Sequence, residues 1–173
     1  MKIVIGLGNP GPEYVISRHN AGVVCVDLLA TKLIADYGWR RQKQALMFKT
    51  DYWVLLKSAG VFMNESGRML QDLKYINYSV DNLYIAHDDL DLRLGEYKIQ
   101  LGVGPKVHYG LQSMEATIGT KNFWRIRIGI DNRDSDNRTP GESYVLEGFK
   151  VEEKKVLDGV LEKICDEILK AAH

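Results

Sequence analysis

The sequence has only two cysteines, Cys25 and Cys165, too few for a disulfide framework. Both fall inside apolar helical patterns away from histidine or basic neighbours, so they read as small buried hydrophobes kept reduced, in preference to a disulfide or a nucleophile. No apolar run approaches the roughly 20 residues that a spanning helix needs, which excludes a transmembrane segment of that kind. The N-terminus has no basic region followed by a long apolar core, since Gly6 to Pro12 breaks the first apolar run almost at once; a cytoplasmic protein is expected. Charge of either sign is not in excess. A formal net charge of +0 excludes a protein that holds nucleic acid by bulk electrostatics, so any RNA contact must be local. Internal repeats, low-complexity tracts and linkers are missing too. What remains is a chain of 173 residues, 45% hydrophobic, enough for one domain with a real core.

Apolar and polar periods organise that chain. Lys2 to Leu7 reads as a buried first strand, and Ala21 to Tyr37 as a helix with Asn20 as N-cap and Gly38 as left-handed stop. Ala45 to Thr50 and Tyr52 to Ser58 form two strands joined at Asp51. Asn64 opens a helix through Tyr75. Leu83 to Ala86 is a short buried strand delivering His87 and Asp88 to its C-terminal end, and Gly95 to Leu101 is another. A loop from Gly102 to Lys106 leads to a helix over Val107 to Ile118. Phe123 to Ile130 alternates so that Arg125 and Arg127 share one strand face. Asp131 to Gly141 is a polar loop, and Val156 to Leu169 an amphipathic C-terminal helix. Strands alternating with helices predict an α/β domain: a twisted, mixed, largely parallel sheet with helices on both faces.

Chemistry concentrates in Gly6 to Gly22, the turn between first strand and first helix, where open α/β sheets bind ligands. There Asn9 offers an amide that donates and accepts, Arg18 a fixed charge, and His19 a base that titrates near neutrality. Asn64 at a helix start and Asp88 at a strand end are expected on the same carboxyl edge. Gly6-Leu-Gly-Asn-Pro-Gly11 formally satisfies a dinucleotide-binding fingerprint. Pro10, however, removes an amide where a phosphate-binding helix should begin, and no second strand ends in an acid about 20 residues on. A metal reading of His87-Asp-Asp-Leu-Asp91 fails because Asp88 and Asp89 point to opposite faces of an extended segment. Asp89 and Asp91 then read as turn chemistry or solvated charge.

GLGNPG followed by Tyr14, Ser17-Arg-His-Asn-Ala-Gly22, Val61-Phe-Met-Asn-Glu-Ser-Gly67, His87-Asp-Asp-Leu-Asp91 and Trp124-Arg-Ile-Arg-Ile-Gly-Ile130, in that order, resembles the bacterial-type peptidyl-tRNA hydrolases. The resemblance implies hydrolysis of the ester joining a peptidyl group to the 3′-terminal ribose of tRNA, by a cytoplasmic monomer with no metal or organic cofactor required. It makes His19 the base and Asp88 its orienting carboxylate. Asn9 is implied to support the reaction, and Tyr14, Met63, Asn64 and the position of Tyr109 to line the substrate cleft. Arg127 and a lysine at the position of Gln100 are implied to grip the tRNA 5′-phosphate.

Two departures stand out. The lysine is replaced by Gln100, although Lys98 lies on the same strand face and could substitute, with Lys106 as a further tRNA contact. Where relatives carry Gly-Gly-His-Asn-Gly-Leu, this chain carries Lys106-Val-His-Tyr-Gly-Leu111. Tyr109 thus replaces an asparagine and cannot present an amide's paired groups. His108, at a structural histidine of the family, reads as a helix-start hydrogen bonder. These changes keep open a catalytically weak, RNA-binding relative as the alternative.

Overall fold

The computed structural model describes residues 1–33 and 38–171. Its strands are β1 (Lys2–Gly6), β2 (Arg40–Arg41), β3 (Ala45–Lys49), β4 (Trp53–Ser58), β5 (Leu83–Arg93), β6 (Tyr97–Leu101) and β7 (Trp124–Asp131). Among the described residues they form one sheet in the order β2-β3-β4-β1-β5-β7-β6. The central strands β4, β1, β5 and β7 pair in parallel, and β2, β3 and β6 close the edges antiparallel. The mixed α/β sheet expected from the pattern is what forms.

Period-two side chains divide the core between the two faces of this sheet. Val4, Leu55, Ala86, Ile126 and Ile128 pack beneath α1 (Ala21–Lys32) and α4 (Val151–Lys170). Ile3, Ile5, Val54, Leu56 and Ile85 point the other way, onto α2 (Tyr109–Ile118) and a 3₁₀ segment over Met63–Leu73. The C-terminal helix holds on through Leu157, Val160, Leu161, Ile164 and Ile168, all nearly inaccessible; each such side chain contributes about 1.5–3 kcal/mol. Cys25 and Cys165 are free and buried where α1 meets α4.

Several elements differ from the sequence expectation. The segment expected as an α-helix over Asn64 to Tyr75 is 3₁₀. The Gly67 amide donates to Ser113 Oγ of α2 at 3.0 Å, and the Ser66 hydroxyl donates to the Met63 carbonyl at 2.7 Å, so tight i→i+3 turns replace the α ladder. A Cβ on Gly67 would overlap Thr117 and the Ser113 carbonyl, which is how closely the two segments approach. β5 runs well past Ala86, because its buried polar residues find side-chain partners. α2 begins at Tyr109, not Val107, since His108 is its N-cap and accepts from the Leu111 amide at 3.3 Å. α1 is helical to Lys32; the expected last turn to Tyr37 lies outside the described residues. The two-residue β2 is too short to register as a pattern.

Candidate active site

Glycines bring the first turn down onto the sheet. A Cβ on Gly22 would overlap the Ala86 carbonyl and one on Gly6 would overlap the Gly22 carbonyl, so α1 starts in direct contact with β1 and β5. The backbone just before it is stitched to the segment following α3 (Gly141–Tyr144): the His19 amide donates to Val145 at 2.8 Å and the Arg18 amide to Glu147 at 2.9 Å. His19 is thereby held over the end of β5.

There His19 Nδ1 lies 2.9 Å from both oxygens of Asp88, while His108 Nε2 lies 2.9 Å from Asp88 Oδ1. One carboxylate takes two imidazole N–H groups. His108 Nδ1 accepts at the α2 N-terminus, which leaves its Nε2 as the donor. Nδ1 of His19 donating to Asp88 likewise leaves Nε2 as the basic nitrogen. Burial opposes charge on His19, but the Asp88 carboxylate outweighs it and raises the pKa above the ordinary histidine value. Asp88 shows the converse. Burial pushes its carboxyl up, yet His19 and His108 together hold it well below the usual carboxylate range.

Asn9 completes the floor of the site. Its Oδ1 accepts from the Met63 amide at 2.8 Å, so its two N–H donors remain for a ligand. Its backbone is fixed in turn by Asn20, whose side chain accepts from the Asn9 amide at 2.8 Å and donates to the Asn9 carbonyl at 3.0 Å. Asn20 stands at the N-cap position of α1 as expected, but its side chain braces Asn9 and makes no capping bond. Its position beside His19 was the only sequence signal for that role.

Asn9, His19, Asp88 and His108 open into a cavity of about 590 Å³ lined by Pro105, Val107 and Tyr109 and, where Leu90 meets Gly141, by Leu90, Gly141, Glu142, Val145 and Leu146. Asn9, His19 and Asp88 come together there as expected, whereas Asn64, expected with them, is not among the lining residues and His108, not expected there, is. The His19, Asp88 and His108 donor atoms lie within 4.8 Å of one another and are suited to a cation by type. Here each imidazole already spends that nitrogen on the carboxylate.

A family model described as peptidyl-tRNA hydrolase matches residues 3–173. The peptidyl-tRNA hydrolase of Mycobacterium tuberculosis is 37% identical over 168 residues, which cover 95% of this chain and 87% of that protein. That of Mycolicibacterium vanbaalenii is 36% identical, over 95% and 86%. The crystal structure of the Acinetobacter baumannii peptidyl-tRNA hydrolase superposes with a TM-score of 0.84 at 29% identity, covering 97% of this chain and 86% of its own. The chain belongs to the peptidyl-tRNA hydrolase family.

Within this member of the peptidyl-tRNA hydrolase family, the remaining residues singled out by sequence are not all at the cavity. Tyr109, first residue of α2, lines it and is 52% exposed. Met63 is buried, and it is its backbone amide that reaches Asn9. Asn64 is exposed and outside the lining residues, because the 3₁₀ turn that buries Met63 directs its neighbour outward. Tyr14 is half-buried and meets Phe62 edge-on, ring centres 6.4 Å apart, away from the lining residues.

Arg18 is no site charge. Its guanidinium is buried between Tyr144 and Phe149, at 4.3 and 4.8 Å from their ring centres, and pairs with Glu153 at 2.7 Å. Asp89 makes the expected turn contact, its Oδ1 accepting from the Asp91 amide at 2.8 Å, but it is buried, not solvated, and accepts from Arg127 Nε at 2.7 Å, while Arg127 Nη1 donates to Gln100 at 2.9 Å. Asp91 is exposed, as a solvated charge is expected to be, and also accepts from the Lys106 amide at 2.9 Å across 15 residues. Lys98 is exposed and directly opposite Arg127 in the β6–β7 ladder, on the same face. Lys106 is exposed between two residues of the cavity wall. Among the described residues no helix is long and apolar enough to cross a membrane.

Proposed function

We propose that this chain hydrolyses the ester linking a peptidyl, or N-blocked aminoacyl, group to the 3′-terminal ribose of tRNA, releasing tRNA and peptide. It works as a single-domain monomer in the cytoplasm. The observation that carries this reading is the meeting of His19, Asp88 and Asn9 in one open cavity. His19 Nε2 takes a proton from water as that water attacks the ester carbonyl. Asp88 keeps the imidazole in the tautomer that leaves Nε2 free and steadies the imidazolium that forms. The Asn9 side-chain amide, its oxygen occupied by Met63, presents N–H donors to the developing oxyanion. Proton return from the imidazolium to the ribose oxygen completes the cycle without a redox or metal step.

Arg127, Lys98 and Lys106 contribute local phosphate contacts; Tyr109 meets the acceptor end and the peptidyl group in the cavity, Met63 holds Asn9 through its amide, and Asn64 and Tyr14, outside the lining residues, contact substrate beyond it. A blocked amine is preferred over a free ammonium because an amide accepts contacts that a charged group would spoil. The test is release of N-acetylamino acid from N-acetylaminoacyl-tRNA by the wild type and by His19→Ala. A rate loss of about 10²–10⁴ with the fold intact is expected. Unchanged turnover in His19→Ala rules out the assigned base, and tight tRNA binding without turnover by the wild type favours a noncatalytic RNA-binding relative.

A further inference from the structure

We infer that Glu142 makes this enzyme selective for the charge of the peptidyl group, favouring cationic side chains near the scissile ester over acidic ones; the inference rests on the hydrolase reading above. Glu142 lies in α3, on the wall of the cavity whose floor is His19, Asp88 and Asn9. It is exposed, and none of the ion pairs among the described residues uses it. Its place relative to the base is fixed. The Val145 amide donates to the Gly141 carbonyl at 3.0 Å, and the Val145 carbonyl accepts from His19 at 2.8 Å. Tyr144, between them, donates its hydroxyl to the Ile130 carbonyl at 3.2 Å and accepts from the Asn132 amide at 3.0 Å.

The two sides of the cavity differ in the charge nearest them. Exposed Lys106, next in sequence to the lining residues Pro105 and Val107 but not itself a lining residue, adjoins one, and Glu142, with Val145 and Leu146, lines the other. A polyanionic RNA end is repelled by a carboxylate and attracted by a lysine, so the nucleotide takes the Lys106 side and the peptidyl group is left facing Glu142. Leu90, Val145 and Leu146 give that side an apolar surface. An arginine or lysine side chain matches it, with a stem that packs on apolar atoms and a cationic tip that reaches the carboxylate. An acidic side chain meets like charge instead. Because Glu142 is solvent-exposed, the preference is modest and sensitive to salt.

The experiment measures kcat/KM for N-acetyl-arginyl, N-acetyl-leucyl and N-acetyl-glutamyl esters on one tRNA body, with the wild type, Glu142→Gln and Glu142→Lys. Arginyl-to-glutamyl ratios are compared after scaling each to the leucyl ester of the same variant. The ratio is expected to fall about threefold to fivefold in Glu142→Gln, to fall further or invert in Glu142→Lys, and to shrink in the wild type at about 0.5 M salt. Equal ratios in all three proteins, with every ester hydrolysed, overturn the role of Glu142 and leave the hydrolase reading standing. Failure of the wild type to hydrolyse any of the esters overturns both.

Discussion

At the residue scale the decisive object is one carboxylate shared by two imidazoles. Asp88 raises His19 above the ordinary histidine value against the opposing effect of burial. A general base works only when neutral, so activity is lost as pH falls through the His19 pKa, and the acid limb of kcat/KM should lie above about 6.5. In Asp88→Asn the raising influence is gone while burial remains. That limb should move to lower pH as the plateau rate falls, and a pH–rate profile of both proteins checks it. An unmoved limb would mean that another group controls the ionisation. His108 shows why residue-level reading stops short. As a helix-start hydrogen bonder it was legible, but its second bond, to Asp88, joins residues 20 apart in sequence.

At the element scale, Glu153 connects three pieces of the fold. It receives Arg18 at 2.7 Å, the Asn132 side chain at 2.9 Å and the Lys150 amide at 2.8 Å. It thus ties the start of α4 to the end of β7 and to the segment carrying His19. Glu153→Ala leaves the Arg18 guanidinium buried without its carboxylate, and loss of one member of a buried pair costs about 3–5 kcal/mol. Urea unfolding should show that drop with little change in m-value.

His87 offers a second test on β5. It is fully buried, donates from Nδ1 to the Asp88 carbonyl at 2.8 Å, and is pushed down to about 3 by burial and then by His108. Unfolded histidine titrates near 6.5, so between roughly 6.5 and 3 the unfolded chain binds the extra proton, and stability falls as pH falls. Asp88 adds its loss only below about 3.9, where the unfolded carboxyl begins to take a proton. Thermal melts between about pH 6.5 and 4.5 should therefore show a declining Tm in the wild type and a flatter one in His87→Gln. Equal slopes would assign the acid sensitivity elsewhere.

At the scale of the whole molecule, opposite charges balance, with Lys+Arg 23 and Asp+Glu 23. On the proposed function, binding of tRNA then rests on a few contacts, those proposed for the exposed Lys98 and Lys106 and for Arg127. About three phosphate contacts give a slope near −2 in log K against log salt. A slope of about −6 or steeper in a binding titration would demand a far wider basic surface than these residues make.

What the sequence determined by itself was everything governed by short-range period and by ordered motifs. The alternation in β1 and β7, the stripe on α4 and the glycines of the first turn follow from side chains a few residues apart, and the candidates His19, Asp88 and Asn9 from the ordered motifs and the family they resemble. Only the tertiary structure decided how polar groups distant in the chain pair once buried. Desolvated charge must find a partner wherever the fold brings one, and no local pattern names it. So Arg18 turned to Glu153, Asp89 to Arg127 and Asn20 to Asn9, and the Met63 amide replaced the Asn64 side chain at the cavity floor.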